Sequence, residues 1–276
     1  MLIAHITDLH VRPPGKPAYR VSETNMLTER ALDAVNRLRP RPDVLVITGD
    51  LTDCGLAEEY RVLETMLARL DLPVLLVPGN HDRRAELVAG LTLDPHTLQE
   101  GGFVQFVADL GPMRLIGLDT LVPGQSHGAL CPQRLALLER SLDEARGRPV
   151  AIFMHHPPFA CGIAHMDAIR LREGEAEFTA LVARHPAIER ILCGHHHRPI
   201  VSRFAGTIAQ IAPSVTHQVT LDLGEESPST FHMEPPAYLL HRWDEATGLV
   251  SHTAYVERYP GPYPFVLDPD YPGAHL

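Results

Sequence analysis

Short apolar runs alternate along the chain with longer stretches in which apolar residues recur every three or four positions. LIAHIT (2–7), DVLVITG (43–49), PVLLVPG (73–79), MRLIGLD (113–119), PVAIFMH (149–155) and IERILCG (188–194) are rich in Val, Ile and Leu and bounded by Gly, Pro or charge. That is the signature of buried strands. Between them, residues 22–38, 57–70, 132–146 and 174–185 carry the helical period. In PQRLALLERSLDEARG, Pro132 suits a first helical turn, Leu135, Leu138 and Leu142 share a face, and Gly147 supplies a stop. Strand–helix alternation predicts α/β layering around buried sheets. From about residue 199 the texture changes, and TIAQIAP, HQVTLDL, PPAYLLHRW and GLVSHTAYVERY are strand-like runs separated by turn residues. This tail is expected to complete a second sheet and then form β-hairpins at one edge. The predicted organisation is a core over 1–199, second-sheet strands and a hairpin extension over 200–260, and an irregular tail over 261–276.

Composition narrows the function. A hydrophobic fraction of 45% provides for a sizeable core, while a formal charge of −10 without a lysine or arginine block argues against a nucleic-acid polymer as partner. Cys54, Cys131, Cys161 and Cys193 form no CxxC pair and read as reduced thiols. MLIAHITDLH lacks a basic leader and a cleavage site and reads as a first strand. No apolar stretch approaches the ~18 residues of a membrane span. The expected compartment is the cytoplasm, with no membrane partner.

Candidate chemistry gathers at the carboxyl ends of the predicted strands. These ends carry Asp8-Leu9-His10, Gly49-Asp50, Gly79-Asn80-His81-Asp82, His155-His156-Pro157-Pro158 and Gly194-His195-His196-His197. In layered α/β folds this is where ligands collect. Residues i and i+2 of an extended segment share a side, so Asp8 faces with His10 and His195 with His197, and His196 points away. Asp8, His10, Asp50, Asn80, His155, His195 and His197 are oxygen and nitrogen donors only. Seven donors exceed the needs of one ion and suit two, with one carboxylate shared. The absence of thiolate points to Fe, Mn, Zn or Co. Two such ions about 3.5–4 Å apart suit displacement at phosphorus, clamping phosphate oxygens and holding a hydroxide between them for in-line attack. Against the carboxylates of Asp8 and Asp50 they leave a positive site in an acidic protein.

D-x-H, G-D, G-N-H-D, H-H-P-P and G-H-x-H, in this order, resemble the calcineurin-like metallophosphoesterases. FMHHPPF (153–159), CGHHH (193–197), THQV (216–219) and YLLHR (238–242) are similar to class III cyclic-nucleotide phosphodiesterases and the enterobacterial-type glycerophosphodiesterase. The resemblance implies a four-layer αββα sandwich with a small C-terminal β-hairpin extension and hydrolysis of small phosphodiesters. It also implies that Asp8, His10, Asp50 and His197 hold one transition-metal ion and Asp50, Asn80, His155 and His195 the other, Asp50 bridging. His81 is then placed at the leaving-group or non-bridging oxygens, His217 at the substrate phosphate, and Tyr19 and Ser126 near Asn80. The chain departs from relatives in carrying His196 where Asn is common.

Of the 17 histidines, His5, His96, His165, His185, His232, His241, His252 and His275 read as core or surface residues. His156 suits a bond behind the metals, His127 in GQSHG carries no assigned role, Asp82 reads as an orienting or capping group, and Asp53 and Asp119 as solvated or capping. Two other functions stay open. One is a phosphomonoesterase or protein phosphatase of the same fold, against which stands the lack of an arginine pair beside the motifs. The other is a metal-free binding scaffold, against which stands the full ligand set. Unpaired edge strands and the apolar bulk of PPAYLLHRW lead us to expect a homo-oligomer.

Overall fold

A computed structural model describes residues 1–263. In chain order the first half contains β1 (Leu2–Ile6), α1 (Thr24–Asn36), β2 (Val44–Thr48), α2 (Ala57–Leu67), β3 (Val74–Val77), α3 (Arg84–Gly90), β4 (Thr97–Leu98), β5 (Gln105–Leu110), β6 (Met113–Leu118), β7 (Gly128–Ala129) and α4 (Pro132–Glu144). The second half contains β8 (Val150–Met154), α5 (Ala164–Asp167), β9 (Leu171–Glu173), α6 (Glu175–Arg184), β10 (Ile188–Cys193), β11 (Ile200–Phe204), β12 (Thr207–Ile211), β13 (Gln218–Val219), β14 (Phe231–His232), β15 (Ala237–Asp244) and β16 (Gly248–Tyr255). All six expected strands and four expected helices form, with boundaries shifted by up to three residues.

Two sheets carry the fold, one ordered β16-β15-β1-β2-β3 and the other β11-β12-β10-β8-β6-β5-β4. Their central strands run parallel, β1-β2-β3 in the first and β6-β8-β10-β12 in the second. The pleat sorts each apolar run onto two buried faces. Ile3, Val44, Val46, Leu75 and Val77 pack between the sheets on Phe106, Leu115, Phe153 and Leu192. The alternate residues Ala4, Ile6, Leu45, Ile47 and Leu76 meet Leu32 and Val35 of α1 and Leu63 and Met66 of α2. On the far side Ile116, Ile152 and Ile191 pack on Leu135 and Leu138 of α4 and Phe178 and Leu181 of α6. The layers are therefore helix, sheet, sheet, helix.

The tail departs from expectation in detail. HQVTLDL contributes only Gln218–Val219, paired with Phe231–His232. Leu221 and Leu223 stand 60% and 65% exposed in the intervening loop, because no second layer covers them. PPAYLLHRW is drawn into the chain's own first sheet: β15 pairs antiparallel with β1 and buries Tyr238 and Leu239 in the core. β5, whose apolar residues alternate only partly, had no counterpart among the expected strands. Most of the tail expected to be irregular, 264–276, lies outside the described residues.

Candidate metal centre

The carboxyl ends of β1, β2, β3, β8 and β10 meet at one end of the two-sheet core, and each runs directly into one of the five polar motifs. The side chains are not aimed by strand pleat. Asp8, His10, Asp50, His195 and His197 all have positive φ, between 46° and 71°, in backbone that has left the strand. Non-glycine residues in this region are strained, and such strain collects at functional sites. With Tyr19 at 49°, six of the nine such residues in the described chain belong to the expected site. Convergence of i and i+2 is thus achieved by left-handed kinks rather than by an extended segment. Two motif glycines are needed for clearance: a Cβ on Gly79 would overlap the Asp50 carboxylate, and one on Gly194 would overlap the Thr7 hydroxyl.

Ligand atoms of Asp8, His10, Asp50 and His197 lie within 4.8 Å of one another, fully or almost fully buried. Asp50 Oδ2 is 3.7 Å from His10 Nε2 and 3.4 Å from His155 Nε2, so it stands between two clusters. His155 Nε2 is 3.1 Å from Asn80 Oδ1 and 3.2 Å from His195 Nδ1. On the first side His10 Nε2 is 3.3 Å from His197 Nε2, which is 3.3 Å from Asp8 Oδ1.

Each of these histidines has its other nitrogen committed to an acceptor. His155 Nδ1 donates to Thr48 O at 2.7 Å, His197 Nδ1 to His217 O at 2.8 Å, His195 Nε2 to Ile169 O at 3.1 Å and His10 Nδ1 to Asp53 Oδ1 at 3.2 Å. A carbonyl or carboxylate can only accept, so these nitrogens carry protons, and in each neutral ring the converging nitrogen presents its lone pair to the site. Facing lone pairs repel unless a cation sits between them. Buried imidazoles fixed by acceptors behind them are the arrangement metal sites use. The donor set therefore fits two transition-metal ions.

Several expectations need revision. Asp53 is not a solvated cap but orients His10. Asp119 is fully buried, gripped by Arg84 at 2.6 and 2.8 Å and by the Val104 and Leu121 amides. His165, read as an ordinary core or surface residue, lines the cavity above the site. Its position followed from no motif and is set by the loop before β9. His156 gives both nitrogens to Thr120 Oγ1 (2.8 Å) and Ser126 O (3.2 Å), leaving none for a metal. His196 is buried with Nε2 directed to Met166 O, away from the ligand atoms. Asp82 accepts from the Leu51, Thr52 and Gly79 amides and from Tyr60 Oη, tying the second and third motifs together. His127 pairs with Glu173 instead of lining the cavity.

The electrostatics follow from crowding under burial. Burial by itself raises the Asp50 carboxyl, but His155, His81 and His10 hold it well below the usual carboxylate range. Burial lowers His155, yet Asp50 and Asp8 carry it up to about 9. Burial and the neighbouring His156 and His155 drive His195 far down. Burial likewise opposes protonation of His81, which Asp50 and Asp53 nevertheless raise above the ordinary imidazole value. His217 is lowered by burial and by His197 and His10, and Tyr19 is pushed up to about 12 by burial and the nearby carboxylates.

A cavity of about 310 Å³ opens over these residues, lined by His10, Asp50, Asn80, His81, His195, His197 and His217 with Tyr19, Ser126, His165 and Phe231. Tyr19, His217 and Phe231 form one aromatic group, with ring centroids 5.0–5.4 Å apart.

A sequence model of the family described as Calcineurin-like phosphoesterase matches residues 1–199. The chain belongs to the calcineurin-like phosphoesterase family. This phosphoesterase is 36% identical over 265 residues to a probable glycerophosphodiester phosphodiesterase GpdQ of Arcobacter nitrofigilis, covering 96% of this chain and 97% of that one. It is also 36% identical over 253 residues to a probable cyclic nucleotide phosphodiesterase of Rhodopseudomonas palustris, covering 90% and 89%. Among solved structures, a dimetal phosphatase from Danio rerio shares the fold with a TM-score of 0.68 at 17% identity, covering 93% of this chain and 99% of that one.

Proposed function

We propose that this phosphoesterase is a dinuclear metal-dependent phosphodiesterase acting on small diesters, either cyclic nucleotides or glycerophosphodiesters. Relatives named for those two activities, matched over nearly their whole length, support the diester reading. The observation that carries it is the cavity itself: no lysine or arginine is among its described lining residues. A monoester dianion carries one more negative charge than a diester monoanion, and a lysine or arginine beside the phosphate would favour it.

In this reading Asp8, His10, Asp50 and His197 hold one ion and Asp50, Asn80, His155 and His195 the other. When bound, the ions (Fe, Mn, Zn or Co) supply charge stabilisation at phosphorus and hydroxide near neutral pH. The chain's own groups do the rest. His81 Nδ1 donates to Asp53 O at 2.7 Å, which fixes the ring and leaves Nε2 facing the site, 4.0 Å from Asp50 Oδ2. With Nδ1 fixed in this way, His81 is placed to hold a proton at Nε2 for the departing ester oxygen. His217 and Tyr19 line the phosphate's approach, and Ser126 adds a hydroxyl on the Asn80 side.

A metal-reconstituted substrate panel tests this: cyclic AMP, a 2′,3′-cyclic nucleotide, glycerophosphoethanolamine, an aryl diester and p-nitrophenyl phosphate. At least one diester is expected to exceed the monoester in kcat/KM; a monoester preferred over every diester overturns the reading. We further propose that the chain works in the cytoplasm as a homo-oligomer, which a monomeric mass by light scattering would refute for the assembly.

A further inference from the structure

His165 lines the same cavity as His81, in a segment that supplies none of the expected metal-ligating side chains. His81 packs against His10, ring centroids 4.7 Å apart, on the Asp53 side. His165 belongs to α5, whose following residues are pinned to the histidine triplet: Met166 O accepts from His196 Nε2 at 3.3 Å and Ile169 O from His195 Nε2 at 3.1 Å. The start of the segment is tied by the Cys161 and Gly162 amides, which donate to the Asp167 carboxylate at 2.7 and 2.9 Å. Ile163 and Met166 pack on Val219 beneath it. The segment is therefore held in register with the metal ligand His195.

On this fixed support the His165 ring forms part of the cavity wall; its Nδ1 is buried without a hydrogen-bond partner, so Nε2 is the nitrogen open to a ligand in the cavity. A structural histidine is normally held by its nitrogens, and leaving one unpaired costs about 1–3 kcal/mol. His5, by contrast, bonds Thr48 Oγ1 at 2.8 Å.

We propose that His165 is a substrate-contact residue that sets specificity, its imidazole hydrogen-bonding a hydroxyl on the ester substituent lying on the His155/His195 side. Nε2 of a neutral imidazole donates or accepts according to the tautomer, and a hydroxyl can answer either. A site that pairs a substrate hydroxyl rejects the analogue lacking it far more strongly than an apolar wall would. The hydroxyl can be that of a ribose or of a glycerol, and the inference rests on the diesterase reading above.

The experiment compares matched pairs with the metal-loaded enzyme: cyclic AMP against its 2′-deoxy form, and glycerophosphoethanolamine against propyl phosphoethanolamine. In wild type, the hydroxyl-bearing member of at least one pair is preferred, and the pair showing this identifies the source. His165→Phe keeps a ring without hydrogen bonding and is expected to collapse that preference about 10–100-fold, in KM more than kcat, with two metals per chain by elemental analysis. His165→Gln is expected to restore part of it. An unchanged preference in both pairs, or equal loss on both members, overturns the inference while leaving the diesterase reading intact. A wild type that cleaves none of the four diesters overturns both.

Discussion

At the residue scale the site depends on groups that stand behind the donors as much as on the donors. Asp53 shows this: its Oδ1 lies 3.2 Å from His10 Nδ1 and decides which nitrogen of that ring carries the proton. Asp53→Asn removes the charge and permits the wrong tautomer, so metal affinity is expected to fall about 10–100-fold; unchanged affinity in a competition titration with a chromophoric chelator would show that Asp53 is dispensable. His81 makes the opposite case, because it stands next to Asp50 without belonging to the ligand clusters at either side of it. His81→Ala is expected to lower kcat by about 10²–10⁴ with two metals still bound, and near-wild-type turnover would remove it from proton transfer. Asp50→Ala is expected to abolish the paired site, since Asp50 Oδ2 lies within 3.4–3.7 Å of both clusters. Two ions at full occupancy in that variant would exclude the bridging role.

At the element scale, β1 is joined to its neighbours by more than ladder bonds. His5 Nε2 meets Thr48 Oγ1 of β2 at 2.8 Å, His241 of β15 lies 3.4 Å from the other His5 nitrogen, and Ser251 of β16 closes the row at 2.7 Å. Thr48 O in turn receives the His155 proton, so the row ends against one of the proposed metal ligands. Burial pushes His5 down to about 3 and His241 well below the ordinary imidazole value, so both are neutral in the fold. The unfolded chain protonates them near pH 6.5, and their contribution to stability is present above that pH and is lost as pH falls from there toward 3. Each proton contributes a slope of about 1.4 kcal/mol per pH unit. Urea unfolding of His241→Gln between pH 7 and 5 is expected to lose one proton's slope relative to wild type. An identical slope would show that His241 is already charged in the fold.

At the scale of the molecule, the late hairpin closes the first sheet over the strand that begins it. β15 pairs with β1 from Leu2↔Arg242 to His5↔Leu239; Leu239 is fully buried, and Tyr238 lies in the same core as α1 and α2. Burying one such leucine is worth about 1.5–3 kcal/mol, and removing the strand also bares the edge of β1 directly before Asp8. A chain ending at residue 234 is therefore expected to lose cooperative unfolding and to bind no metal stoichiometrically. A sharp denaturation transition with two ions retained would show that the family-matched region stands alone.

The donor types at the strand ends and the positions of the buried strands along the chain were readable from sequence, because both are local chemistry. A parallel strand covered on two faces must be a continuous apolar run, and Asp, Asn and His at its end keep their donor atoms whatever the fold does. Leu221 and Leu223 show the limit, since their alternation predicts a strand but nothing packs on it. Only the tertiary structure decided how the donors meet. Their convergence needs left-handed backbone at Asp8, His10, Asp50, His195 and His197, a conformation Asp and His adopt more readily than most residues but that no local pattern specifies. It likewise decided that Asp53 serves His10 and that His165 enters the cavity wall. Those roles depend on which loops the closing sheets bring together, and contacts between residues far apart in the chain are set by packing rather than by local pattern.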